Sequence, residues 1–257
     1  MIDLSNEQRQ FWNRNRYLHI RDSLAPRVAE SLLSWTEELG AWPEVPGKWM
    51  KYFEAPRLLC RVENFIPYHE GLRAFLTDDT MMKIVSELMG EEAVLFKEKI
   101  NFKLPGGNGF TAHQDAPAFT TFGQKYHITL MVAVDACNPA NGCLEVVNGF
   151  ERGDLLEQAE DGTIAPHIEQ SLEWAPVLMN PGDLLFFDSY LPHRSAANRS
   201  DNPRRALYVT YNKRSEGSVR DDYFLQKRKV FPPEVERIAG EPLSKESQRY
   251  NLGNPIR

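Results

Sequence analysis

His113 and Asp115 are separated by a single residue, and a second histidine, His193, lies far downstream. On an extended strand residues i and i+2 point to the same side, so His113 and Asp115 can reach one ion. Two imidazoles and one carboxylate make the facial arrangement that holds Fe(II) and leaves the opposite positions open to other ligands. Such an HxD triplet says little alone, and its surroundings give it weight. Ser195 follows His193 at the same two-residue spacing, and Arg204 opens the apolar run Ala206-Leu207-Tyr208-Val209. A guanidinium there offers the planar fork that matches a carboxylate. Arg205 is its rival, because a one-residue change of register exchanges the two faces of a strand. Iron, a hydroxyl and a guanidinium together describe a site for an α-keto diacid.

These residues need rigid elements to carry them. From Pro26 to Leu39 and from Asp79 to Met89 the apolar residues recur at near-helical spacing, with Ser23 and Asp78 or Asp79 as candidate caps and Gly90 as a stop. After Gly90 the texture changes to β-branched and aromatic runs broken by turn signals. Strands are expected over Val94 to Leu104, His127 to Asp135, Cys143 to Val147, Trp174 to Leu178, Leu184 to Phe187 and Arg205 to Tyr211. So many strands without long helices between them point to a jelly roll or sandwich. The polar stretch from Glu151 to Ser171 reads as an inserted lid or mobile loop. The charged tail from Gly217 onward is expected to wrap the surface or approach the barrel mouth.

Along residues 95 to 104 the pattern alternates with period two. Phe96, Ile100, Phe102 and Leu104 fall on one face and Lys97, Lys99, Asn101 and Lys103 on the other. If the polar face looks into the barrel, its lysines require a counter-charge, which implies an anionic substrate group, carboxylate or phosphonate. The alternative is an edge strand with solvated lysines.

With 257 residues and a formal charge of −6, the chain is expected to form one domain. Its N-terminal helical part spans about 1–92, the jelly-roll core about 93–213 and the tail 214–257. Acidic and basic residues are mixed along it, which argues against nucleic-acid and polybasic membrane partners and for small molecules. Three cysteines without metal or disulfide spacing fit a reducing cytoplasm, and the N-terminal residues carry no apolar run that reads as a signal or membrane span.

The order of motifs resembles the phytanoyl-CoA dioxygenase branch of the Fe(II)/2-oxoglutarate oxygenases. The matching pieces are Ile100-Asn101, Pro105-Gly106, His113-Gln114-Asp115, Asn141-Gly142-Cys143-Leu144, Asn148-Gly149, Pro181-Gly182-Asp183, His193-Arg194-Ser195 and Pro203-Arg204-Arg205-Ala206. The resemblance implies a double-stranded β-helix (jelly roll, cupin-like), mainly β with flanking helices. It implies Fe(II) held by His113, Asp115 and His193, with Arg204 and Ser195 gripping the far carboxylate of 2-oxoglutarate. Asn101 would touch the cosubstrate, and Lys97, Lys99, Gln114 and His127 are the substrate-side candidates; His127 also reads as a buried structural histidine. The implied reaction consumes O2 and 2-oxoglutarate, releases succinate and CO2 and hydroxylates a small polar metabolite, with ascorbate helpful in vitro. In related halogenases a small residue replaces the carboxylate ligand, so Asp115 favours hydroxylation or a related oxidation such as desaturation. Two other readings stay open: a zinc-dependent hydrolase or lyase in a cupin-like barrel, and a ligand-binding jelly roll without catalysis.

Overall fold

The alternating residues after Gly90 become two long strands paired along almost their whole length. They form the centre of a computed structural model that describes residues 3–150, 155–253 and 256. In chain order the strands are β1 (Tyr17–Ile20), β2 (Met50–Glu54), β3 (Leu58–Glu63), β4 (Ala93–Lys103), β5 (Phe110–His113), β6 (His127–Ala133), β7 (Leu144–Val147), β8 (Trp174–Pro176), β9 (Leu184–Asp188), β10 (His193–Ser195) and β11 (Arg204–Lys213). The helices are α1 (Asn6–Asn15), α2 (Pro26–Ala41), α3 (Glu70–Leu76), α4 (Asp79–Met89), α5 (Ala116–Phe119), α6 (Pro166–Ser171) and α7 (Arg220–Val230). A major sheet of order β1-β9-β6-β11-β4-β3-β2 faces a minor sheet of order β5-β10-β7-β8. Every pairing between these strands is antiparallel. Mainly β with flanking helices, this is the jelly roll expected from the sequence.

Strand parity decides which side each residue buries. Ile100, Phe102, Leu130, Val132, Leu184, Phe186, Leu207 and Val209 form the outer face of the major sheet, covered by Leu32 and Leu39 of α2, Leu72 and Leu76 of α3, and Ile84 and Val85 of α4. Met131, Ala133, Leu185, Phe187, Ala206 and Tyr208 point inward and meet Leu144 and Val146 of the minor sheet. Each large side chain buried in these layers stabilises the fold by about 1.5–3 kcal/mol. A third cluster, joining Phe96 and Phe119 to Tyr223 and Phe224 of α7 and to Tyr250, closes one end of the barrel.

The structure departs from the expected pattern at several points. The N-terminal part, read as helical, also contributes β1, β2 and β3, which extend the major sheet at both edges. Their pairing partners are distant in sequence or joined through a register shift between Tyr52 and Phe53, so local periodicity is a weak guide to them. α2 starts without a side-chain cap, and the Ser23 hydroxyl donates to the Ile20 carbonyl instead. Asp78 caps α4 through the Thr80 amide, and Gly90 ends it. In β4 a register shift opposite Thr210 and Tyr211 turns Phe96 away from the face of Ile100 and Phe102. The expected lid over 151–171 falls partly outside the described residues, at 151–154. Its remainder holds α6 and a Gln158–Ile164 bridge.

Candidate active site

β5 and β10 lie side by side in the minor sheet, and their register places His193 directly opposite His113. The two imidazole centroids are 4.2 Å apart. Asp115 follows at the head of α5, with its Oδ1 3.9 Å from His113 Nε2. One donor atom from each of His113, Asp115 and His193 lies within 4.8 Å of the others. Both histidines turn Nδ1 toward backbone carbonyls, His113 to Thr111 O at 2.6 Å and His193 to Leu191 O at 3.0 Å. With the proton on Nδ1, each Nε2 is left bare for a metal, a common way of fixing the tautomer of a ligand histidine. Burial, reinforced by the neighbouring His193, pushes His113 down to about 3, so it is neutral and ready to coordinate. Asp115 is held below the ordinary range against the effect of burial by His193 and Lys97. Two neutral imidazoles and a carboxylate fit a divalent ion such as Fe(II).

The opposite wall comes from the major sheet. β4 and β11 run antiparallel with Arg204 opposite Lys103, Ala206 opposite Asn101, Tyr208 opposite Lys99 and Thr210 opposite Lys97. Lys97, Lys99, Asn101, Thr129, Tyr208 and Thr210 line one cavity together with His113, Asp115, His193 and Ser195. The polar face of β4 therefore looks inward, and the edge-strand alternative falls because β3 covers its other side.

Parity also separates the two arginines. Arg205 points out and forms a fork with Asp135, through Nε at 2.7 Å and Nη2 at 2.8 Å. Arg204 points in and is 1% exposed; it donates to Tyr208 Oη and Gly142 O at 3.1 Å each, while its Nε has no partner. Asn101 Oδ1 is likewise buried and unpartnered.

Lys103, which the sequence placed on the inward face without a role, occupies the same end. Its ammonium donates to Ser195 Oγ at 2.7 Å, Gly142 O at 3.2 Å and Ala196 O at 2.5 Å. Burial and the charge of Arg204 push Lys103 down to about 6. This crowding explains Gly142: at φ +70° a side chain there is strained, and its Cβ would lie 2.1 Å from Ala196 O.

Lys97 and Lys99 stand on the metal's other flank. Lys97 lies over the Phe119 ring at 4.1 Å, and Lys99 over Tyr208 at 5.3 Å. Burial, then the charge of Lys99, pushes Lys97 down to about 7, and Lys99 is lowered by burial and Arg61. Among the described residues none of Lys97, Lys99, Lys103 and Arg204 has a carboxylate in ion-pair contact. Arg61, opposite Asn101 on β3, does have one: its Nε is 2.5 Å from Glu63 Oε1, off the angle of a hydrogen bond, while Lys227 reaches in from α7 to Glu63 Oε2 at 2.5 Å.

Two sequence candidates are not at the cavity. Gln114, between the ligands, faces the other side of the strand; its amide donates to Tyr190 O at 2.6 Å and accepts from the Leu156 amide at 2.8 Å, bracing the insertion. His127 is fully buried beside the rings of Phe96 and Phe119, at 4.8 and 5.2 Å, and burial pushes it down to about 3. Its neutral ring packs as an aromatic side chain behind the site.

With this geometry the comparisons agree. Residues 12–206 match the family model described as phytanoyl-CoA dioxygenase. The chain is 55% identical over 262 residues to a 2-aminoethylphosphonate dioxygenase of an uncultured bacterium, HF130_AEPn_1, covering 100% of both chains. It is 42% identical over 243 residues to a methylphosphonate hydroxylase of Gimesia maris, covering 93% of this chain and 92% of that one. Among solved structures it is similar in fold to EctD from S. alaskensis with 2-oxoglutarate and 5-hydroxyectoine, with a TM-score of 0.73 at 18% identity, covering 83% of this chain and 77% of that one. Matched over most of its length, and carrying the three donors and the inward arginine where the fold needs them, the chain belongs to the phytanoyl-CoA dioxygenase family of Fe(II)- and 2-oxoglutarate-dependent oxygenases.

Proposed function

We propose that this oxygenase hydroxylates a C–H bond of a small phosphonate. The observation that carries the reading is the charge imbalance of the cavity. Lys97 and Lys99 line the cavity, Lys103 and Arg204 lie beyond it at the Ser195 end, and among the described residues the lining carboxylate is Asp115, which belongs to the metal site. Cations buried without a counter-charge are costly, and two incoming anions relieve that cost, one at each end. A dicarboxylate takes the Arg204 end and a phosphonate the Lys97 end. Two relatives of high identity are named for phosphonates, which supports the second assignment.

His113, Asp115 and His193 would hold the iron, which would supply the oxidising chemistry that turns O2, 2-oxoglutarate and substrate into succinate, CO2 and the hydroxylated product. The protein supplies orientation and keeps water out. Arg204 turns its free Nε–H and the rest of its fork to the far carboxylate of 2-oxoglutarate. Lys103 donates to Ser195 Oγ, so the hydroxyl's own proton is free to point at the same carboxylate. Asn101, buried between the two ends, offers its amide to the cosubstrate. Lys97 and Lys99 grip the substrate's phosphonate oxygens and hold its carbon toward the metal.

The test is succinate formation with Fe(II), ascorbate and 2-oxoglutarate under air. 2-Aminoethylphosphonate or methylphosphonate is expected to stimulate turnover at least tenfold over the cosubstrate alone. If no phosphonate stimulates, or if the matching carboxylates serve equally well, the substrate assignment is wrong.

A further inference from the structure

We propose that the C-terminal segment is part of the framework of the metal centre, with Gly253 as a positioning residue for His113. The proposal rests on the reading that His113 is a metal ligand. β5, which carries His113, has four residues and lies at the edge of the minor sheet. Its inner side pairs with β10, and an open outer side would leave it to fray. Two distant segments close that side instead. The Thr111 amide donates to Gly253 O at 2.8 Å, and the Ile164 amide donates to Ala112 O at 2.8 Å.

Gly253 also backs the imidazole itself. A Cβ at this position would lie 2.6 Å from His113 Nδ1 and 2.7 Å from Thr111 O, and the backbone has φ +63°. Thr111 O is the acceptor of the His113 Nδ1 proton. Gly253 carbonyl, Thr111 amide, Thr111 carbonyl and His113 Nδ1 therefore form one chain of contacts from the tail to the ring whose Nε2 is left for the metal.

The tail meets the second ligand through a different element. The 3₁₀ segment Lys245–Tyr250 packs on α5, whose N-cap is Asp115. Tyr250 is buried in the aromatic cluster with Tyr223 of α7, and Leu252 sits against Gly162 of the insertion, where an added Cβ would come within 2.8 Å. Groups that orient ligand histidines change metal affinity by about 10–100-fold when altered. Since the docked tail sets the pose of His113, metal binding must in turn strengthen tail docking by the same factor.

The test is anaerobic calorimetric titration of the metal-free full-length chain with Co(II) as the Fe(II) surrogate, comparing the parent, Gly253→Ala and His113→Ala. Gly253→Ala is expected to weaken Co(II) binding by about 10–100-fold. Hydrogen exchange of the unaltered protein should slow on Co(II) binding both at residues 111–115 and at 245–253. Parent-like affinity in Gly253→Ala overturns the proposal, as does unchanged exchange at 245–253; if Gly253→Ala does not fold, the exchange result decides. If His113→Ala binds Co(II) as tightly as the parent, the metal-site reading fails and the role of Gly253 falls with it. Loss of affinity in His113→Ala but not in Gly253→Ala sinks the positioning role alone.

Discussion

His113 and His193 are cross-strand partners: the β5–β10 register sets the two metal-facing histidines opposite one another, and Asp115 completes the set two residues beyond the strand end. The histidine pair is thus fixed by backbone pairing, while the carboxylate depends on the turn into α5. Replacing Asp115 by Ala is expected to reduce phosphonate-stimulated succinate formation to the level of the metal-free protein while leaving the fold intact. Substrate-stimulated turnover above that level would refute the three-donor assignment.

Arg204 and Arg205 lie on opposite faces of β11 and are expected to give opposite phenotypes. Arg204→Met removes charge-assisted hydrogen bonds worth about 1.5–3 kcal/mol each, so the 2-oxoglutarate KM should rise at least tenfold with little change in substrate KM. Arg205→Met should leave both KM values within about twofold, and lower the unfolding free energy by about 1–3 kcal/mol because Asp135 loses its fork. Steady-state kinetics and urea unfolding of both variants check this; a 2-oxoglutarate defect in Arg205→Met would reverse the assignment.

If Lys97 takes the phosphonate as proposed, capture must depend on pH. With burial holding it at about 7, only the protonated form pairs with an anion, and that fraction falls about tenfold per unit above the pKa. kcat/KM for the phosphonate should therefore decline as pH rises above about 7. In Lys97→Met the value should be low, and that decline should disappear. A decline that persists unchanged in Lys97→Met would assign it to another group.

Glu63 anchors the far end through charge. Burial raises its pKa, but Arg61 and Lys227 outweigh that and hold it at about 2. A folded-state value below the unfolded one contributes stability that is complete above about pH 4.5 and is lost as the pH falls toward 2. Glu63→Gln leaves Lys227 buried beside a neutral amide, and should cost about 3–5 kcal/mol near neutral pH. Its stability should also fall less steeply with acid than the parent's. Chemical unfolding at pH 7 and pH 3.5 measures both; an equal cost at the two values would contradict the ion-pair role.

Much of the site was legible because its information is local. The two-residue spacings of His113 to Asp115 and of His193 to Ser195, and the alternation along residues 97–103, translate directly into shared faces once the segments are strands. The same parity puts Gln114, between two inward ligands, on the outward face, against its candidacy for the substrate side, but parity could not register the shift at Phe96. Lys103 lay in plain view on the inward face, but its hold on Ser195 joins positions 92 apart in sequence. Arg61, Glu63 and Lys227 were invisible for the same reason: nothing within a few residues of any of them signals that a tail helix will reach across the barrel end. His127 carried no signal that distinguishes a ring packed against phenylalanines from one facing a substrate.

The two sheets divide the labour, since the minor one carries His113 and His193 while the major one carries Lys97 and Lys99; Arg194 of the minor sheet also lines the cavity, but its charge is met by Glu145 and Glu169. On the proposed assignment, oxidising power and choice of molecule are therefore inherited largely on separate pieces of architecture. A descendant can exchange the side chains of β4 and acquire a taste for a different compound, while the reactive centre opposite stays as it was.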